Sequence, residues 1–427
     1  MFETIKQNVV YYTRRFRVSF LIFLSVFGPA TITAMADNDA AGVATYSIAG
    51  AKLGYPILFA LVLITILLAI TQEMGMRLSL VTRKGLGDSI REYYGIRVSV
   101  FVFLLLFIAN MGTIVVNLAS IKTVGQLLHL PIAPMIILVV FAVFLFVTKG
   151  NYKSTQNIML VSSFFYLAYI FSAFKAQPNW GHALSNLIVP NGVNFTPTYM
   201  KDYVLIGMGV LGTTITPWGQ FFISSFAFDK KIDIRKLRFS QLETYAGAFL
   251  TDFFSFFMIV ATAATLFVHR IPLVSGEQAA LAIKPFAGEL ASFLFAFGIL
   301  NAGFMGIIVV SLTTSYAFSE FFGVTGSLDA SFRKGYTFYL IFLIQLIIAG
   351  IVVMIPSISL FQVAIAAQTI NAMLLPVIFY FLIKITSNPS LMGTYINKPL
   401  QKNVAITASV MIVFASIFTV IITLLKI

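Results

Sequence analysis

Two carboxylates, Asp37 and Asp39, stand two positions apart inside an apolar stretch that begins near Val18 and continues past Thr45. A carboxylate at the centre of a membrane span costs about 2.5–3.5 kcal/mol on insertion scales. A pair there calls for something positive between or beside the two groups. On a continuous helix, at ~100° per residue, they would point about 200° apart. In an unwound, extended segment they share a side, and both would face one cation. Asp and Asn are also good helix N-caps, so Asp37-Asn38-Asp39 equally suits the start of a second half-helix. The two roles are compatible.

A second apolar stretch is interrupted in the same way, by Gly207-Met208-Gly209 and then by Gly212-Thr213-Thr214-Ile215-Thr216-Pro217-Trp218-Gly219-Gln220. Proline removes a backbone donor and clashes with the preceding turn, and glycine costs about 1 kcal/mol against alanine. Asn38 and Gly42 mark the first break, and Pro217 and Gly219 the second. Irregular backbone at membrane depth survives only where it is buried or lines a wet cavity; its freed carbonyls then become oxygen ligands. Paired broken helices in corresponding places of two halves point to an inverted-repeat transporter with its site at the midplane. No residue-by-residue identity links the halves, so the repeat rests on architecture. Gln368 and Asn371, at i and i+3 of a later span, either supply amide oxygens to that site or fasten helices together. Asp252 and Glu73 are read chiefly as structural partners of Arg77, Lys122 or freed backbone.

The elements that position these groups are membrane helices. Of the 427 residues 59% are hydrophobic and 10% charged, against about 25% charged in a soluble domain. This excludes an ordinary soluble enzyme, a disordered tail or a nucleic-acid module. The absence of cysteine excludes disulfide, iron–sulfur and cysteine–zinc chemistry, and His129, His182 and His269 are too scattered for a histidine metal cluster. At roughly 20 apolar residues per crossing, eleven spans are expected. They lie near 17–52 (interrupted), 55–80, 98–125, 131–148, 155–174, 203–228 (interrupted), 243–268, 286–318, 336–355, 357–384 and 403–425. The uncharged segment 176–200 is expected to be an external loop, and Asp229–Arg238 a short cytoplasmic helix. With the N-terminus inside, 20 of the 28 basic residues fall on the cytoplasmic side. They sit in the N-terminal segment (Lys6, Arg14, Arg15, Arg17) and the loops near 83–97, 149–153, 229–238, 333–334 and 384–402. The net charge of +13 is therefore mostly an orientation signal, with the C-terminus outside. No cleavable signal peptide is expected, because the basic start runs directly into the first span.

In the first span the frame is Gly28-Pro29, Asp39, Ala44-Thr45 and Gly50-Ala51-Lys52-Leu53-Gly54-Tyr55. Together with Gly212–Gly219 of the sixth, it resembles the Nramp family of divalent-metal transporters, and within it the Nramp-related magnesium transporter branch. The resemblance runs from about residue 20 to 425. It implies an all-α LeuT-type fold in one domain: inverted five-helix repeats over about 17–174 and 203–384, and an extra helix near 403–425. It places Asp39 at the metal-binding aspartate of the family's DPGN motif, with Ala40, Ala41 and Gly42 in place of its Pro, Gly and Asn. In the sixth span Pro217 keeps the helix-breaking proline, Thr216 replaces the metal-binding methionine and Trp218 replaces the histidine. A thioether suits transition metals, whereas oxygen ligands suit Mg²⁺, Ca²⁺ and Mn²⁺. A pocket of Asp39, Gly42, Thr213, Thr216 and Gln220, made more acidic by Asp37, would suit a Mg²⁺ ion that keeps several waters. Gln368 completes the expected metal-site residues. At third-span positions where proton-coupled members carry an Asp and a Glu stand Asn117 and Ser120, and neither they nor Trp218 carries a proton.

The expected function is passage of Mg²⁺, and of Mn²⁺, by alternating access without proton coupling. A divalent ion moving inward gains about 4.6 kcal/mol at 100 mV, so no driving ion is needed. The alternatives are a proton-coupled Mn²⁺/Fe²⁺ transporter and an amino-acid or other organic-solute carrier of the same fold. Two aspartates at the break argue against an anionic substrate group there. A membrane-embedded hydrolase would need a nucleophile–base pair, a histidine metal site or aspartates on separate helices, so an enzyme is not expected. No cofactor, no nucleic-acid partner and a monomeric state in the bilayer complete the expectations.

Overall fold

The computed structural model describes residues 28–150, 157 and 166–425. The basic N-terminal segment, the opening of the first span, most of the fifth span before Tyr166, Lys153 and Lys426 lie outside the described residues. All regular structure among those described is helical. In chain order the α-helices of six residues or more are α1 (Pro29–Ala36), α2 (Ala40–Leu53), α3 (Ile57–Thr82), α4 (Leu86–Leu127), α5 (Ile132–Lys149) and α6 (Leu167–Lys175). Then come α7 (Trp180–Ser185), α8 (Pro197–Thr214), α9 (Pro217–Asp229), α10 (Leu237–Thr262) and α11 (Gly276–Leu281). The last four are α12 (Ala291–Phe322), α13 (Tyr336–Val353), α14 (Leu360–Thr386) and α15 (Pro399–Leu425).

Among the described residues eight helices are long and apolar enough to cross a membrane. The expected first and sixth spans are each split, into α1 and α2 and into α8 and α9. Burial sorts the helices into two shells. Every residue of α1 is buried, and a helix apolar and covered all round belongs to a core. By contrast α5 buries only Ile136, Val143 and Val147 and presents Ile137, Leu138 and Phe141 outward. The half-helices cross in the middle: α1 packs on α9 and α2 on α8, with α3, α4, α10, α12 and α14 around them.

Three connections differ from expectation. The expected loop at 83–97 is helical from Leu86, because α4 begins there and turns at Gly95. Gly95 has φ 77°, a left-handed conformation that costs glycine nothing and an L side chain much more. The expected helix at Asp229–Arg238 is only the short 3₁₀ turn Ile234–Lys236. There Asp233 accepts from the Arg235 amide at 2.8 Å; hydrogen bonds from Arg235, then the charges of Arg235 and Arg83, hold its carboxyl down at about 2. The 176–200 connection carries the small helix α7, capped by Asn179, which accepts from His182 N at 2.9 Å.

Three of the buried charges have structural partners. Glu73 and Arg77 form an ion pair at 2.8 Å within α3. Glu73 also accepts from Gln241 of α10 at 2.8 Å and Gln401 of α15 at 3.0 Å. Arg77 donates to Asn397 at 2.8 Å and to the Tyr395 carbonyl. Lys122 finds backbone carbonyls, donating at 3.2, 2.8 and 2.7 Å to Val353, Ile355 and Ile358. A cation is favoured at the C-terminal end of a helix, and Lys122 holds that place for α13.

Candidate metal centre

The first break is a tight turn rather than an extended segment. Asp37 still has helical backbone angles, φ −62° and ψ −22°. Asn38 N and Asp39 N donate back to Met35 O at 3.3 Å and Ala36 O at 3.0 Å. Asp39 then restarts the helix as its N-cap, its Oδ1 accepting from Gly42 N at 2.9 Å. Gly42 is therefore not at the break but in the first turn of α2. A Cβ there would collide with the Asp37 carbonyl, so only glycine allows that approach.

The second break restarts by the same device. Thr216 is the N-cap of α9, and its Oγ1 accepts from Gly219 N at 3.0 Å. Pro217 has no N–H for the Thr213 carbonyl four residues earlier, which leaves that oxygen without its helical donor. Thr213, Thr216 and Gln220 are all buried, and neither polar atom of the Gln220 amide has a hydrogen-bond partner. Trp218 is buried with its indole N–H unpartnered.

The two aspartates engage different neighbours, contrary to the expectation that both face one side. Asp39 Oδ2 accepts from Asn117 Nδ2 at 2.7 Å, and Asn117 Oδ1 accepts from Ala40 N at 3.0 Å. One amide of α4 thus clamps the start of α2. Ser120 donates to the Asn117 carbonyl at 2.6 Å and does not reach Asp39. Asp37 is 1% exposed, and neither of its carboxylate oxygens has a hydrogen-bond partner. A Cβ on Gly219 would stand 3.7 Å from Asp37 Oδ1, which places this carboxylate against the second break. Asn38 points elsewhere, donating to Thr251 Oγ1 at 2.9 Å and accepting from Ser255 Oγ at 3.1 Å on α10.

On α14, Gln368 Oε1 accepts from Asn371 Nδ2 at 2.6 Å, and the same Nδ2 donates to Thr113 of α4 at 3.0 Å. The pair therefore fastens α14 to α4, while Asn371 Oδ1 remains unpartnered. Sequence reasoning missed Gln72, which is 1% exposed with both amide atoms unpartnered. It also missed Tyr166, whose hydroxyl donates to the Asn38 carbonyl at 2.6 Å. Nothing in a span marks a lone Gln or Tyr as facing a break two helices away. The only signal was that Gln72 adjoins Glu73.

The crossing therefore presents carboxylates, amides, hydroxyls and a freed carbonyl, all oxygen donors or neutral amides suited to a hard cation. Among the described residues no three of His, Cys, Asp and Glu stand close enough to share one ion. The family model described as natural resistance-associated macrophage protein-like matches residues 30–422. The chain belongs to the Nramp family. It is similar to the divalent metal cation transporter MntH of Caldanaerobacter subterraneus subsp. tengcongensis, 23% identical over 89% of each chain. It is also similar to the MntH of Erwinia tasmaniensis, 24% identical over 90% of each. Its fold is that of a manganese transporter of Eremococcus coleocola, with TM-score 0.77 and 19% identity over 93% of this chain and 86% of that one. A Na⁺-coupled sialic acid symporter superposes with TM-score 0.59 and 11% identity, over 92% and 88% of the two chains. The chain is a multi-pass membrane protein, helical throughout its regular structure among the described residues.

Proposed function

We propose that this Nramp-family chain moves Mg²⁺, and also Mn²⁺, across the membrane by alternating access around its two broken helices, without moving protons. The observation that carries the reading is the donor set at the crossing. Asp37 and Asp39 are buried at the first break, and Thr216 and Trp218 stand in the second where the family motif has methionine and histidine. Thr213, Gln220 and Gln368 are the further oxygen donors of the proposed site, and no cofactor takes part. Asn117 on Asp39 supports the uncoupled mechanism, since an amide there cannot pass a proton on. The excess of basic residues on one set of loops supports an N-terminus inside and a C-terminus outside. The element order supports repeats over about 17–174 and 203–384.

A second reading is proton-coupled transport of Mn²⁺ or Fe²⁺. The names of the relatives favour its metal, manganese, since they are divalent metal cation transporters and a manganese transporter. Reconstituted liposomes holding a metal-sensitive and a pH-sensitive dye separate the two. Mg²⁺ and Mn²⁺ uptake is expected with a steady internal pH, and Asp39→Asn is expected to lower uptake by about tenfold or more. Internal acidification in step with Mn²⁺ entry would decide for proton coupling. Full uptake by Asp39→Asn would overturn the site.

A further inference from the structure

Between α3, α7 and α10 lies a cavity of about 470 Å³, within the ~300–1,000 Å³ range of small-molecule sites. One wall is an aromatic stripe on α10, made by Phe249, Phe253 and Phe257 at i, i+4 and i+8 and continued by Trp180 of α7. Successive ring centroids along this run stand 6.1, 5.0 and 6.3 Å apart. Phe249, Phe253 and Ile66 are exposed. Since α3 and α10 are both of membrane-spanning length and composition, the open side of the cavity meets lipid.

Apart from the Trp180 indole, the polar side chains of the lining are Thr65 and Asp252. Asp252 is 5% exposed. The Thr65 hydroxyl has a single hydrogen and two acceptors within reach, the Leu61 carbonyl at 2.8 Å and Asp252 Oδ2 at 2.6 Å. Asp252 Oδ1 has no hydrogen-bond partner, and no Lys, Arg or His is among the residues lining the cavity. Buried polar groups are nearly always satisfied, and an ionisable side chain inside a membrane calls for a partner. Lipid acyl chains would cover the aromatic stripe but leave the carboxyl as it is. One carboxyl among phenylalanines also offers too few oxygen ligands for a hard metal ion. An organic ammonium supplies both N–H donors and positive charge at Asp252, and its apolar body lies along rings whose faces attract cations.

We propose that this cavity binds a hydrophobic amine that enters from the lipid phase, with its ammonium on Asp252 and its apolar body along the Phe249–Phe253–Phe257 stripe. The site is distinct from the crossing, since Asp37, Asp39, Thr216 and Gln220 take no part in its lining. It therefore does not depend on which metal the crossing holds.

The test is calorimetric binding of 4-phenylbutylamine, and of its neutral counterpart 4-phenylbutan-1-ol, to the full chain in lipid nanodiscs, with partition into empty nanodiscs subtracted. The amine is expected to bind about tenfold or more tightly than the alcohol, as a hydrogen bond to a charged group allows. Asp252→Asn is expected to abolish that preference. Ile66→Trp, a filling substitution at an exposed position of the lining, is expected to abolish binding of both probes and provides the measurement if Asp252→Asn does not fold. Saturating Mn²⁺ is expected to leave amine binding unchanged. Equal affinities for amine and alcohol in the wild type would make the cavity a groove for acyl chains alone and overturn the proposal. An undiminished preference in Asp252→Asn, undiminished binding in Ile66→Trp, displacement of the amine by Mn²⁺, or no binding to the wild type would also overturn it.

Discussion

At the scale of single residues, Asn117 shows how much one amide can do in a dry place. It donates to Asp39 and accepts from Ala40 N, so the carboxylate and the restarted backbone are satisfied by one side chain. Leucine there would leave both groups buried and unpaired, at about 1–3 kcal/mol each. Asn117→Leu is therefore expected to melt earlier than the wild type in a detergent thermal-shift assay, and an unchanged melting temperature would contradict the clamp. Residue types are legible in the sequence where they are costly. Two aspartates in a bilayer and a proline in a span mark both breaks by their residue types alone. Direction is not legible in that way. Asp37 and Asp39 read as partners facing one ion, because an extended segment puts i and i+2 on one side. The break is instead a helical turn, and the two carboxylates go to different helices.

At the scale of elements, the eight-residue helix α1 is too short to be stable alone and is held by its surroundings. Its N-terminal end is bound by Glu243 of α10, whose Oε1 accepts from Gly28 N at 2.6 Å, Thr31 N at 3.1 Å and Thr31 Oγ1 at 3.0 Å. The carboxylate thus satisfies amides that a helix start leaves without partners and also meets the positive end of its dipole. Glu243→Ala is expected to raise hydrogen–deuterium exchange over residues 28–36 while leaving α12 unchanged. Equal protection in the variant would show that packing alone holds α1. Helix existence follows from apolar length almost throughout. Helix ends do not, because they depend on distant partners such as Glu243 or, for α13, Lys122. The helical start of α4 is hidden for a related reason: its charged, glycine-containing sequence is that of a loop, and the fold overrides it up to the turn at Gly95.

At the scale of the whole molecule, the proposed orientation is open to a direct check, since the sequence contains no cysteine. Single cysteines introduced at Lys231 and at Ser185 are expected to behave oppositely toward a membrane-impermeant maleimide on intact cells. Ser185→Cys should react and Lys231→Cys should not; the reverse would invert the topology. The overall architecture is retained at low identity, since the fold matches that of the manganese transporter with TM-score 0.77 at 19% identity. The finer contacts of the crossing arise only when helices from both halves meet, as where Gly219 faces Asp37. The two restarts, Asp39 with Gly42 and Thr216 with Gly219, share one three-residue geometry but differ by a full negative charge. The fold therefore uses an interchangeable fitting at both junctions, one that secures a helix equally with a hydroxyl or a carboxylate. Valence at the centre of the membrane can then be re-specified by exchanging those two residue types, with the architecture left in place.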